Sequence, residues 1–298
     1  FFRVFFFLAS TAYLPCYLGA SIHHPTVMHC CASYGVVKRW IPAFEALRGG
    51  PWKRSGHTAV YMWNGFLIFG GTVVKEDGSL LLTNDVWYCN PSTGESGPVR
   101  CSGVGPSGRF GHSATVVSMD SGAAMVVHGG KVASGCVHEP VNETLVLEFR
   151  DHRPHWRQTE VLKGYVAPKP RWGHSAVYIT DIAGSSAWSP VRDRNIKSGL
   201  LVFGGGCGAA VSNDLIFLDV ITKTWLPLEG TSNQPPARRT HTACKYGQHL
   251  YVFGGRSSEG FFQDLWTLDL ASLAWRQIQP GGSIPAARTG HIAEMHHG

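Results

Sequence analysis

Along most of the chain the apolar residues come in short runs of four to eight, closed off by glycine, proline, asparagine or aspartate. The clearest stretch reads Pro-Pro-Ala-Arg-Arg-Thr-His-Thr-Ala (235–243), His-Leu-Tyr-Val-Phe-Gly-Gly (249–255), Gln-Asp-Leu-Trp-Thr-Leu-Asp-Leu (263–270) and Leu-Ala-Trp-Arg-Gln-Ile (273–278). Runs of this length, rich in β-branched and aromatic residues and separated by turn residues, predict four antiparallel strands, A to D, joined as hairpins. No segment carries an apolar period near 3.6 residues, so helix is not expected.

The pattern recurs. Five times an arginine is followed three positions later by a histidine: Arg54 and His57, Arg109 and His112, Arg171 and His174, Arg238 and His241, Arg288 and His291. Four copies lead into a glycine pair: Gly70 and Gly71, Gly129 and Gly130, Gly204 and Gly205, Gly254 and Gly255. Beyond each pair stands an acid (Asp85, Glu143, Asp214, Asp264), and late tryptophans occupy positions 40, 156, 225 and 275. A unit recurring every 50 to 67 residues implies a fold of stacked copies. Residues present in every copy are expected to hold the copies together. The glycines permit positive φ and close backbone approach, Trp225 and Trp275 offer apolar area, and each arginine is expected to pair with its acid.

The combination of Pro-x-x-Arg-x-x-His, Tyr-Val-Phe-Gly-Gly, Asn-Asp-Leu-Ile and a late Trp resembles the kelch repeat, over residues 40–295. The resemblance implies an all-β fold, a kelch-type β-propeller of four-stranded blades, here about five blades plus one strand of a further, truncated blade. Residues 47–298 are read as the propeller blades. The resemblance also implies that the face formed by B–C loops and D–A connections receives protein partners.

Spacing shows where the copies differ. From histidine to glycine pair the gaps are 13, 17, 30 and 13 residues, so the third copy carries an insertion at 181–198 on the opposite face, read as a tolerated loop. The first two copies have longer B–C segments, at 72–84 and 131–142. Since loops vary without disturbing a core, the expected partner-binding residues are Lys75, Glu76, Asp77, Lys131, His138 and Glu139, joined by Arg239, Arg256 and Phe261 from the fourth copy. The first copy lacks a late Trp and has a weak strand D near 99–102, and His128 replaces the Phe before the second glycine pair.

The two ends are less regular. The start, with Arg3 and an apolar run, reads either as a signal or anchor over 1–20 or as a degenerate first blade over 1–46. A shift of 235 residues sets Arg238 on Arg3 and Gly254 on Gly19, although Phe6 and His29 then replace the histidine and the acid. The end falls just after strand A of a new repeat, so an unpaired edge strand is expected there.

Composition adds limits rather than direction. Only 15% of residues are charged, and the net charge of +6 is spread along the chain, unlike the dense basic face of a nucleic-acid binder. The eight cysteines share no repeat position and form no Cys-x-x-Cys pair, which suits reduced thiols of a cytosolic chain; a secreted or membrane-anchored chain follows if 1–20 is a signal. Each repeated histidine stands without a second ligand at metal-site spacing, and no catalytic motif is present. The expectation is therefore no cofactor, no metal and no catalysis: a scaffold or recognition module for a protein partner. The alternative is a regulatory or substrate-positioning domain of a multidomain enzyme, such as a phosphatase, methyltransferase or ubiquitin-ligase complex, whose catalytic part lies elsewhere.

Overall fold

The computed structural model describes residues 5–7, 53–150, 153–158, 168–180, 188, 196–228 and 233–294. Four antiparallel blades follow one another. Blade I holds Thr58–Met62, Gly65–Val74, Leu80–Cys89 and Ser96–Pro98 as strands A to D. Blade II holds Ser113–Met119, Gly122–His128, Thr144–Arg150 and Arg153–Gln158. Blade III holds Ser175–Ile179, Gly199–Cys207, Ala210–Asp219 and Thr224–Leu228. Blade IV holds Thr242–Tyr246, His249–Phe253, Leu265–Asp269 and Trp275–Ile278. Strand A of each blade runs beside strand A of the next, the arrangement of a β-propeller.

Three sequence expectations need adjusting. Strand D of blade I lies at Ser96–Pro98, a little before the segment expected, and Val99 only continues it with a bond to the Val86 carbonyl. The long B–C segments are ordered ribbons: Gly65–Val74 pairs with Leu80–Cys89 out to Val74 and Leu80, and Lys131–Ser134 pairs with Val137–Pro140. The final strand A, Ile292–Glu294, is not left unpaired, because Phe5–Phe7 runs antiparallel to it. Phe7 stands opposite Ile292 as Phe253 stands opposite Thr242, whereas the 235-residue shift would set residues 16–18 there. The remainder of 1–46, including the signal or anchor reading, lies outside the described residues, as do Trp40, Cys16, Cys30 and Cys31.

The repeated arginines are the joints inside each blade. Arg109, Arg171 and Arg238 are fully buried. Arg238 donates from Nη1 to the Gly254 carbonyl at 3.0 Å, and forks onto both oxygens of Asp264 at 2.7 and 2.8 Å. Arg171 does the same with Gly204 and Asp214, and Arg54 with Gly70 and Asp85. Arg109 reaches the Gly129 carbonyl and one oxygen of Glu143. A planar fork fits both a carboxylate and a strand-end carbonyl, which a lysine would not.

The glycine pairs and histidines join neighbouring blades. A Cβ on the second glycine would stand 2.8 to 2.9 Å from the Cβ of the same repeat's histidine; one on the first would meet the next repeat's histidine ring and arginine carbonyl. All eight of these glycines have positive φ. Two histidines therefore close on each pair, and no side chain fits between them. Each histidine then bonds across the seam: His112 Nε2 with Thr58, His174 with Ser113, His241 with Ser175, His291 with Thr242, at 2.8 to 3.0 Å.

The late tryptophans fill the same seams. Trp156 packs on Phe69 at 5.4 Å between ring centroids, Trp225 on His128 at 4.7 Å, and Trp275 on Phe203 at 4.9 Å. Where Phe69 and Phe203 are apolar rings with no hydrogen bond to make, His128 is buried and bonded through Nδ1 to Thr144 Oγ1 at 2.8 Å. The position of Thr144 is Val86, Leu215 and Leu265 in the other blades, so the imidazole brought a matching hydroxyl with it. The insertion in blade III is also anchored. Trp188 is buried, edge-on to Phe217, and donates to the Leu270 carbonyl of blade IV at 2.6 Å. The rest of 181–195 lies outside the described residues.

Of the described cysteines only Cys136 is exposed; all five are free thiols, Cys89 and Cys101 included. Burial pushes the Cys101 and Cys244 thiols up to about 11.

Two measurements check this framework. Replacing Asp264 with Ala strands a buried guanidinium, so urea unfolding should show a loss of about 3 to 5 kcal/mol; Asp85→Ala, whose carboxylate is 38% exposed, should lose less. The seam histidines are buried as neutral rings. Burial first, and then the neighbouring arginine charges, lower His57 to about 4 and His112 and His241 to about 3, and for His291 the same two causes give about 4; burial first, then His128 and Arg171, hold His174 well below its ordinary value. Burial and Arg171 lower His128 to about 3. Unfolded histidine binds its proton near pH 6.5. The stability these rings confer is therefore complete above that pH and lost as pH falls towards 3 to 4, at up to about 1.4 kcal/mol per ring per pH unit. Unfolding midpoints at pH 7.5 and 5.0 should drop sharply, and the double variant His128→Phe with Thr144→Val should drop less.

Candidate interaction face

The residue after each repeated arginine has a position of its own. The arginine side chain goes into the blade, and the next residue but one turns the chain at positive φ: Gly56, Gly111, Gly173, Thr240 and Gly290. These turning residues bond backbone to backbone from repeat to repeat, Gly111 N to Gly56 O, Gly173 N to Gly111 O, Thr240 N to Gly173 O, and Gly290 N to Thr240 O. Between them the residues at 55, 110, 172, 239 and 289 lie on the D–A face, in Ser, Phe, Trp, Arg, Thr order. Four pair with the residue following the glycine pair of their own blade: Ser55 with Thr72, Phe110 with Lys131, Trp172 with Gly206, Arg239 with Arg256.

This register assembles a stripe of cations and aromatic rings. Lys131 Nζ sits 4.9 Å from the centre of the Trp172 ring, and the Arg239 guanidinium 5.0 Å from it. Phe110 lies 6.3 Å from Trp172 and meets His138 edge-on at 5.5 Å. Arg256 bridges to Arg239 and to Phe261 through the backbone, and its guanidinium lies 5.4 Å from the Phe261 ring. Contacts between cations and ring faces of this kind hold long basic side chains in place without neutralising them. Gly206 forms the floor: an added Cβ would stand 2.6 Å from Trp172 Nε1 and 3.2 Å from Arg239 Cδ.

Five of the nine expected partner-binding residues come together here: Lys131, His138, Arg239, Arg256 and Phe261. On the Lys131–Ser134 and Val137–Pro140 ribbon the register sets Ala133 opposite His138 and Val132 opposite Glu139. Alternation then puts Lys131 and His138 on the side of the stripe and Glu139 on the other. Lys75, Glu76 and Asp77 form the exposed turn of the blade I ribbon, where Asp77 accepts the Ser79 amide at 2.8 Å. Around that turn Val74 and Leu80 are more than 60% exposed. Phe110 and Trp172 are absent from the expected set. They were hidden as the variable position inside Arg-x-x-His, and the signal available was that this position varies while its neighbours do not.

Among the described residues no three or more of His, Cys, Asp and Glu are grouped to hold a metal, and no helix is long and apolar enough to cross a membrane.

The model of the KLHDC2/KLHL20/DRC7 Kelch-repeats domain matches residues 37–183 and 191–298. Similar curated proteins include Adagio-like protein 1 of Oryza sativa subsp. japonica, 33% identical over 127 residues, which are 41% of this chain and 16% of that protein. Multiple epidermal growth factor-like domains protein 8 of Rattus norvegicus is 30% identical over 219 residues, 68% of this chain and 7% of that protein. Acyl-CoA-binding domain-containing protein 5 of Arabidopsis thaliana is 28% identical over 198 residues, 66% of this chain and 26% of that protein. The chain thus spans a minor part of the length of these relatives.

The half-buried Trp172 is a surface side chain and Trp225 a seam side chain. Trp225→Ala should cost about 3 to 5 kcal/mol in denaturant unfolding, and Trp172→Ala no more than about 1 kcal/mol.

Proposed function

The chain belongs to the kelch-repeat family, and on that premise we propose that it is an interaction module whose protein partner docks on the face built from D–A connections and B–C ribbons. Kelch-repeat domains generally mediate protein–protein interaction and are generally not catalytic. The observation that carries the reading here is the stripe centred on Trp172. Aromatic and arginine side chains are the residues from which binding hot spots are most often made, and these are held by ring contacts on a rigid scaffold rather than on mobile loops. Exposed Phe261 and the apolar rim of the blade I ribbon supply further area for a partner.

The matched regions are 7 to 26% of the relatives quoted, which favours a second reading. In it, the same face positions a substrate for an activity carried by another part of a longer protein.

Proximity labelling in cells that express the chain tests the first reading. A set of proteins labelled by the native chain should be lost with Trp172→Ala and Phe261→Ser combined. It should be kept with Lys223→Ser, whose side chain lies on the turn between strands C and D at the opposite face. Equal labelling by all three chains rules out this face as the docking surface.

A further inference from the structure

In blades I, II and III the D–A connection is latched in one way. The residue before the acid is an asparagine, and its side-chain amide donates to the carbonyl of the proline that opens the next Arg-x-x-His. Asn84 bonds to Pro106, Asn142 to Pro168 and Asn213 to Pro235, each at 3.2 Å. All three prolines are buried. Blade IV has Gln263 at this position and Pro285 as the proline. Glutamine is one methylene longer, so the same backbone position no longer sets an amide on that carbonyl. Among the described residues the half-buried Gln263 side chain makes no hydrogen bond. Pro285 is only half-buried, and Ile284 beside it is 46% exposed. A cleft of about 340 Å³ lies there, between the start of strand C, the end of strand D and the connection. Its lining includes Phe261, Gln263, Ile278, Pro280 and Ile284.

We infer that this cleft is a seat for a proline in an extended segment of a protein partner. The partner's carbonyl takes the Gln263 amide, as the chain's own prolines take the amides of Asn84, Asn142 and Asn213. The inference rests on the reading of the chain as an interaction module, and adds a site at the rim of blade IV that does not depend on the stripe. A proline suits the cleft for two reasons. It brings a carbonyl acceptor and no N–H, so its burial leaves no backbone donor without a partner. Its ring is apolar, as are Ile278, Pro280 and Ile284, and its fixed φ reduces the entropy lost on docking. A charged ligand finds no match, because Asp264 is the one charged residue of the lining and its carboxylate is held by Arg238. The volume lies in the range of ligand pockets.

The test uses the purified full chain and a phage library of linear peptides with a fixed central proline. Peptides should enrich above a matched library with central alanine. In anisotropy titrations the Pro→Ala twin of a selected peptide should bind about ten-fold more weakly, from the loss of buried ring carbons. Gln263→Asn restores the residue that latches the other three connections. It should weaken the peptide by about ten-fold or more, with a melting temperature unchanged or higher. Ile284→Asp, at an exposed side chain, should weaken it without lowering the melting temperature. Lys245→Gln, exposed on strand A of the same blade, should change nothing. No enrichment over the alanine library, an alanine twin that binds equally well, or binding untouched by Gln263→Asn or by Ile284→Asp overturns the seat. Trp172 lies outside the cleft, so the stripe stands or falls on the labelling experiment alone.

Discussion

The buried arginine of each repeat is the constraint on which the rest depends. One guanidinium spans the carbonyl of the first glycine and the acid in or just before strand C, so a single side chain ties strand B to strand C at the glycine pair. Because the arginine is fully enclosed, the acid must follow and the carbonyl must be presented. That holds the glycine pair in place, where the B–C ladder shifts register in blades I and III, and this in turn fixes where the next blade can approach. The glycine pair is then squeezed between two histidines from successive repeats, one through its ring and one through its Cβ. The linkage within a blade and the linkage between blades share the same few atoms.

The seams are uniform in geometry and varied in chemistry. Phe69 and Phe203 meet the next blade's tryptophan as apolar rings, while the seam between blades II and III has two adjacent buried imidazoles, His128 and His174, at 5.1 Å. The exchange is tolerated because Thr144 supplies a hydrogen bond in a place where the other blades have an aliphatic side chain. Trp188 shows the converse, an insertion that reaches back into the seam of blades III and IV and adds apolar area and a hydrogen bond of its own.

The stripe of rings and cations follows from the same economy. Once arginine, the turning residue and histidine are committed to holding the fold, the position between arginine and the turn is the one place in the motif whose side chain is free to vary without cost to the blade. It carries Phe110, Trp172 and Arg239 in consecutive repeats, and the backbone pairing with the residue after each glycine pair sets Lys131 and Arg256 beside them. The stripe is thus displayed by the backbone-paired turns of successive repeats, with the ribbon of blade II beside it.

Much of this was legible in the sequence. The strand count, the repeat register, the arginine–acid pairs and the packing role of the late tryptophans could be read from residue type and spacing, because each depends on contacts that every repeat makes in the same way. Of the stripe of rings and cations, Lys131, His138, Arg239, Arg256 and Phe261 could be placed on one face by their B–C and D–A segments. Phe110 and Trp172 were not, since a position that varies inside a motif looks like filler until the packing of successive blades brings its copies together. Nor could spacing tell that Glu139 points away from its neighbour His138, that Phe5–Phe7 lies against Ile292–Glu294, or that Trp188 turns inward. Sequence alone determined what recurs, because identical local contacts leave a periodic trace in residue type. Tertiary structure decided what meets across blades, because those contacts join residues with no common period, and only the closing of one blade on the next sets their distance.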